Sequence, residues 1–230
     1  MSQSMVGVMT GLGHSVRYQR GEVVYGSPNL FGKLMFIRSG VVAKALIDPV
    51  RDEPLMLSLG TSGALCGSYE NLYVNDRLPR RHYCLTTSEV LVVNQELLLK
   101  IADQNADWQQ ELANYASYCA LCDRLGMLVN RAGSLEQRFG ALMVLLQSEM
   151  DPEIEKNISS TGIDWMPLFI FPAFKSMSIV LDSDATELHE VVRNWNTQGI
   201  IRRRAGKLWV KRAVFYDYWR WLQRFVQQNA

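Results

Sequence analysis

The sequence predicts an α+β chain in three parts: an N-terminal antiparallel β-sandwich or barrel, a long helix, and a C-terminal helix-turn-helix followed by a basic hairpin. Three observations predict it. Positions 18–93 hold short β-rich runs with turn signals every eight to twelve residues. From position 95 to 131 there is no proline, and no glycine before Gly126, while apolar residues recur at heptad spacing. Across positions 193–224, nine basic residues stand against the single acid Asp217, a net +8, so the rest of this 230-residue chain carries −7 within a total of +1. Charge segregated in this way suggests an electrostatic task for one end.

Composition sets the bounds. With 48% hydrophobic and 20% charged residues, wholesale disorder and collagen-like sequence are excluded. The apolar stretch 165–174 is ten residues long and contains Pro167 and Pro172. A bilayer span needs about twice that length, so no membrane partner is expected. Residues 1–20 lack a basic start followed by a long apolar core, which gives no sign of a secretory signal. Cys66, Cys84, Cys119 and Cys122 form no regular framework and fit a reducing cytoplasm, the expected location.

The first part, residues 1–94, begins with Glu22-Val23-Val24-Tyr25 and the turn cluster Gly26-Ser27-Pro28-Asn29. Leu34-Met35-Phe36-Ile37 then leads into Ser39-Gly40 and Val41-Val42-Ala43-Lys44-Ala45-Leu46. Tyr83-Cys84-Leu85-Thr86-Thr87 and Val90-Leu91-Val92-Val93 close it. In the helix, residues 95–132, the residues Trp108, Leu112, Tyr115, Cys119, Cys122, Gly126 and Val129 are spaced 4-3-4-3-4-3. Such a seam either packs on its own sheet or pairs with its twin. The expectation here is a homodimer, with Leu121, Leu125 and Leu128 on an adjoining face. In residues 133–212, an amphipathic helix follows Gly133-Ser134, and a polar loop spans 151–164. Pro172 is suited to open the next helix. A further helix from Ala185 stops at Gly199, and two strands flank Arg204-Ala205-Gly206-Lys207. A helix, tight turn, helix and basic hairpin make a winged helix-turn-helix. Residues 213–230 carry Phe215, Tyr218, Trp219, Leu222, Phe225 and Val226 at helical spacing, with Tyr216 and Trp221 on the other side. This helix is expected to pack back on the winged domain, and RNA polymerase is a partner that an exposed part of it would contact.

The ordered set resembles the cyclic-AMP receptor protein (CRP/FNR) family of bacterial transcription regulators. Arg20-Gly21-Glu22-Val23-Val24-Tyr25 is similar to the family's early strand, and Met35-Phe36-Ile37-Arg38-Ser39-Gly40-Val41-Val42 to its hairpin. Positions 177–192 lie without a gap on its helix-turn-helix, and Asn196-Thr197-Gln198-Gly199-Ile200-Ile201 resembles the helix end leading into the wing. Positions 101–108 and 134–138 also resemble an enterobacterial subgroup that keeps the architecture, loses the nucleotide pocket and includes regulators linked to oxidative-stress resistance. The resemblance implies a cyclic-nucleotide-binding-like β-roll, a dimerisation helix, and double-stranded DNA as partner. It places Ala185, Thr186, Glu187, His189, Glu190 and Arg193 on the DNA-facing helix, and Arg202, Arg203, Arg204, Lys207 and Lys211, beside Arg212, in the wing.

Two departures stand out. Nucleotide-binding members hold the cyclic phosphate with a Gly-Glu helix start and a downstream Arg-Ser or Arg-Thr pair. The matching positions here are Gly67, Ser68, Glu70, Arg80, Arg81 and His82, and the bulk of His82 and Tyr83 should fill the pocket. Cyclic AMP is therefore not the expected effector, and no other effector is indicated. The second departure is the recognition helix, where the family's turn glycine is Asp182 and its base-reading arginine is Ala185. Asp182, Asp184, Glu187 and Glu190 oppose a phosphate backbone, whereas the wing favours it. Dependence on the wing and on DNA shape is one reading; a protein that modulates transcription by binding another regulator or RNA polymerase is a second, and a small-molecule or redox sensor whose output is not DNA binding is a third. No cofactor, metal or catalytic residue is expected. An iron–sulfur cluster needs about four thiolates together, His14, His82 and His189 are scattered, and Cys119-Ala120-Leu121-Cys122 reads first as packing on a helix.

Overall fold

The computed structural model describes residues 2–26, 32–67, 69–72 and 78–227, with the backbone alone at 70, 71, 226 and 227. Most of the turn cluster after Gly26 lies outside the described residues. The chain forms two compact units, Met1–Met127 and Leu128–Ala230.

In the first unit the order is α1 (Gln3–Leu12), β1 (His14–Tyr18), β2 (Val23–Gly26), β3 (Lys33–Ser39), β4 (Val42–Ile47), β5 (Pro54–Gly60), β6 (Leu65–Gly67), a 3-10 turn (Tyr69–Leu72), β7 (Arg80–Cys84), β8 (Ser88–Asn94), α2 (Gln95–Ala102) and α3 (Ala106–Ala132). Two four-stranded antiparallel sheets run β1-β8-β3-β6 and β2-β7-β4-β5. The unbroken apolar runs of β3 and β8 have a direct cause: both faces are covered. Met35, Ile37, Val90 and Val92 join Tyr25, Val42, Cys66 and Cys84 between the sheets. Leu34, Phe36, Leu91 and Val93 turn the other way, under the helices.

Helix α1, beyond the elements the sequence predicts, helps cover that second face through Met5 and Met9. Its first turn is capped by Ser2, whose hydroxyl accepts from the Met5 N–H at 3.2 Å. The single helix expected from Gln95 is two helices. Asn105 breaks it, its side-chain oxygen accepting from the N–H groups of Asp107 (3.0 Å) and Trp108 (3.3 Å) and so starting α3 afresh.

The second unit contains α4 (Leu135–Ser148), α5 (Ile154–Ser159), β9 (Trp165–Leu168), α6 (Phe174–Val180), α7 (Ala185–Thr197), β10 (Ile201–Arg204), β11 (Lys207–Lys211) and α8 (Arg212–Gln227). Ser134 and Gln137 form a reciprocal capping box at the start of α4. Helix α5 occupies part of the expected polar loop, and β9 opens the apolar stretch that follows. As an edge strand in the order β10-β11-β9, β9 tolerates Pro167. Helix α6 begins at Phe174, after Pro172. Its approach is held by buried Gln147, which accepts from the Phe169 N–H (2.6 Å) and donates to the Ile170 carbonyl (2.9 Å). Helix α8 packs on α4, with Phe215 buried and Tyr218 lying over Gly140. Trp221, expected on the solvent side, lies instead against Gly133, where any Cβ would meet its ring.

Candidate functional site

Several side chains of the described strands turn into the β-roll. On β7, alternation turns Arg80, His82 and Cys84 inward and Arg81 and Tyr83 outward. His82 is 1% exposed and stacks on Tyr25 with ring centroids 5.4 Å apart. Its Nδ1 accepts from the Ala45 N–H at 3.2 Å, and its Nε2 lies 3.5 Å from the Gly67 carbonyl. Burial first, and the Lys44 charge second, push its pKa down to about 3, so the ring is neutral near pH 7. Tyr83 and Arg81, assigned to the pocket by sequence, point away from it; Arg81 pairs with Asp52 at 3.0 Å. Arg80 is buried and donates to the Leu78 carbonyl at 3.1 Å. Ser68 and the Glu70 side chain lie outside the described residues.

Sequence reasoning missed what lies beside His82. Lys44 on β4 is 2% exposed, and its Nζ is 2.6 Å from Oδ1 of Asp123 on α3, itself 6% exposed. Ser58 Oγ donates to the same carboxylate, as does the Tyr69 hydroxyl, whose ring lies 5.1 Å from Lys44 Nζ. A carboxylate from the helix thus occupies a cradle of one ammonium and two hydroxyls in the domain where the family resemblance places an anionic ligand.

The same face of α3 carries the expected dimer seam. Leu112 and Cys119 are buried in the unit's own core, Trp108 and Tyr115 pack against that core, and Tyr115 also donates to the Gly63 carbonyl. These four residues therefore meet the chain's own strands and helices, because the second face of β3 and β8 needs cover. Cys122 is half-buried, and Val129, also half-buried, falls in the second unit. Burial raises the Cys119 thiol pKa, which suits packing better than thiolate chemistry. On the opposite side, Tyr118 is 59% exposed and Leu121 45% exposed. No group of three metal-ligating side chains exists among the described residues, nor a helix long and apolar enough to cross a membrane.

In the second unit, α6, a turn and α7 form the helix-turn-helix. Asp182 adopts φ 48°, a left-handed conformation that aspartate tolerates better than most residues. Asp184 caps α7, accepting from the Thr186 N–H at 2.6 Å. Asn130 donates to the Val180 carbonyl at 3.0 Å, and Arg138 donates to the Leu181 carbonyl, satisfying the end of α6. Thr186, Glu187, His189, Glu190 and Arg193 are exposed on α7, and Ala185 is half-buried. Two of them are already engaged: His189 stacks on Phe174 at 3.7 Å, and Arg193 is paired with Glu190. The hairpin turns at Ala205 (φ 50°) and Gly206 (φ 74°), the positive pair that a tight two-residue hairpin requires. Arg202, Arg203, Arg204, Lys207 and Lys211 are all exposed. Arg212 is turned inward, donating to the carbonyls of Ile163 and Ile158 at 2.8 Å each.

Solved structures share this architecture over nearly the whole chain. A CRP-family transcriptional regulator from Thermus thermophilus aligns with a TM-score of 0.64 at 13% identity, over 91% of this chain and 95% of its own. The c-di-GMP-responsive global regulator CLP of Xanthomonas campestris gives 0.63 at 15% identity, over 91% and 99%. FixK2 of Bradyrhizobium japonicum gives 0.62 at 14% identity, over 93% and 96%. The chain has the CRP/FNR fold. No protein-family model and no curated protein matches it, so the likeness is one of structure. Within the CRP/FNR fold, this chain differs from the nucleotide-pocket pattern in having His82 after Arg80-Arg81, beside a buried Lys44–Asp123 pair, and from the recognition-helix pattern in an α7 with no arginine on its first two turns.

Proposed function

We propose that this chain is a homodimeric, DNA-binding transcription regulator of the CRP/FNR type that works without a cyclic nucleotide. The observation that carries the reading is the hairpin: five exposed cations, Arg202 to Arg204, Lys207 and Lys211, in one small unit with a helix-turn-helix. Phosphate contacts of this kind supply affinity and register, while α7 offers Thr186 and Glu187 for base edges. The apolar side of α3 with exposed Tyr118 and Leu121 and half-buried Leu125, at heptad spacing, supports pairing with a second copy. Nucleotide independence is supported by buried His82, which stands where the nucleotide-binding pattern has a small residue, and by Lys44, which is already paired with Asp123.

A salt titration with a random-sequence duplex tests the reading. Log affinity falls steeply with log salt, as expected for on the order of six to ten neutralised phosphates per dimer. The Arg203→Ala/Arg204→Ala variant binds more weakly to every sequence, its slope shallower by roughly two to four. Cyclic AMP at millimolar concentration leaves both unchanged. Wild-type protein that ignores duplexes in dilute buffer would refute DNA binding. That result would favour the second reading, for which the acidic α7 speaks: a modulator that acts by binding another transcription protein.

A further inference from the structure

The sheet that carries the basic hairpin has a third strand, and it changes what the hairpin can do. Its register sets Arg202 opposite Trp209, Arg204 opposite Lys207, and Lys211 opposite Trp165 on β9. Alternation along the strands then sends these six residues to one face. The opposite face holds Ile201, Val210, Met166 and Leu168, all buried, which fixes it as the core side. Four cations and two indoles therefore share the outer face. Arg202 is exposed, and its Cζ lies 3.7 Å over the Trp165 ring. Among the described residues none of the four cations has a carboxylate partner, whereas Arg193 is tied to Glu190.

At 3.7 Å from the ring centre, the guanidinium carbon is close enough for the group to meet the indole by its face, which leaves its N–H edges for other acceptors. The stack also removes rotamer freedom that a long arginine would otherwise lose on meeting its ligand. A planar, pre-oriented fork with open edges matches two oxygens of a phosphodiester. We propose that Trp165 is a positioning residue that holds Arg202 as a fixed phosphate contact, making the outer face of the β10-β11-β9 sheet a surface for the nucleic-acid backbone. The proposal rests on the DNA-binding reading and adds a residue far from the hairpin in sequence.

The test uses the full chain and a labelled random-sequence duplex at several salt concentrations. Trp165→Leu weakens binding by roughly three- to tenfold. Arg202→Ala weakens it at least as much, and the double variant is no weaker than Arg202→Ala alone, because the indole acts only through that arginine. Trp165→Phe, which keeps a ring, recovers most of the loss. Arg202→Lys leaves charge and sheet intact, yet loses affinity because an ammonium lacks the planar fork. Losses that add in the double variant, or Arg202→Lys binding as wild type does, would overturn the proposal while wild-type DNA binding stands. A wild-type protein that binds no duplex would overturn the underlying reading as well.

Discussion

Among single side chains, the Lys44–Asp123 pair departs furthest from what a strand lysine and a helix aspartate usually do. Each has been taken out of water, and removing a charge's partner is worse than never having buried it. Lys44→Met or Asp123→Leu alone should cost about 3–5 kcal/mol, since each strands a buried charge. The double variant should cost clearly less than the two single losses together. Recovery is incomplete, because the Ser58 and Tyr69 hydroxyls lose the carboxylate they donate to. Urea unfolding of the four proteins measures this, and additive losses would mean that the two groups do not depend on each other. The pair was invisible in the sequence for a physical reason: 79 positions separate the two residues, and a lysine among apolar strand residues reads as a solvent-facing alternate. His82 was legible because it follows Arg80-Arg81, where a small side chain belongs in the nucleotide-binding pattern. Tyr83 was misassigned because strand alternation forbids two neighbours from pointing into the same space.

Whole elements were legible where one period dominated. The apolar runs of β3 and β8, the start of α4 after Gly133-Ser134 and the helix stop at Gly199 all follow from short-range pattern. Helices α1 and α5 are short and gain their stability from burying a few residues, Met5 and Met9 in one, Ile154 and Ile158 in the other, so local sequence says little of them. Helix α3 follows from its apolar spacing, but a heptad spacing does not say which neighbour each side meets, and Leu112 and Cys119 meet the unit's own core. Gly126 marks that inward side. Its missing side chain lets α3 rest on the backbone of β5, where a Cβ would run into the Leu57 carbonyl and the Ser58 Cα. Neither is a flexible side-chain end, so Gly126→Ala is expected to destabilise by about 1–3 kcal/mol despite its gain in helix propensity. A shift in the urea midpoint measures it; an unchanged or higher midpoint would mean that α3 does not lie against β5 in solution.

At the scale of the molecule, the wing is basic and the remaining sequence carries the balancing acids, so polyanion binding gains from every extra wing that reaches the duplex. A lone subunit has a hairpin with five exposed cations and an α7 whose exposed acids would oppose a phosphate backbone on the proposed reading. Two subunits double the first term on one ligand and add the effective-concentration gain of linked sites. On the proposed reading, pairing of two subunits strengthens binding, and the outward side of α3 with exposed Tyr118 and Leu121 is the candidate surface for it. Tyr118→Glu/Leu121→Glu places two negative charges on that side, at positions 59% and 45% exposed, so the folded subunit should be retained. Sedimentation equilibrium should then report one subunit where the wild type reports two, with the far-UV spectrum unchanged. The salt slope of duplex binding should fall to about half, because half the phosphates are neutralised per bound particle. A variant that sediments as wild type does would move the pairing surface elsewhere. One that is monomeric yet keeps the full slope would show that a single wing surface carries the whole electrostatic contact.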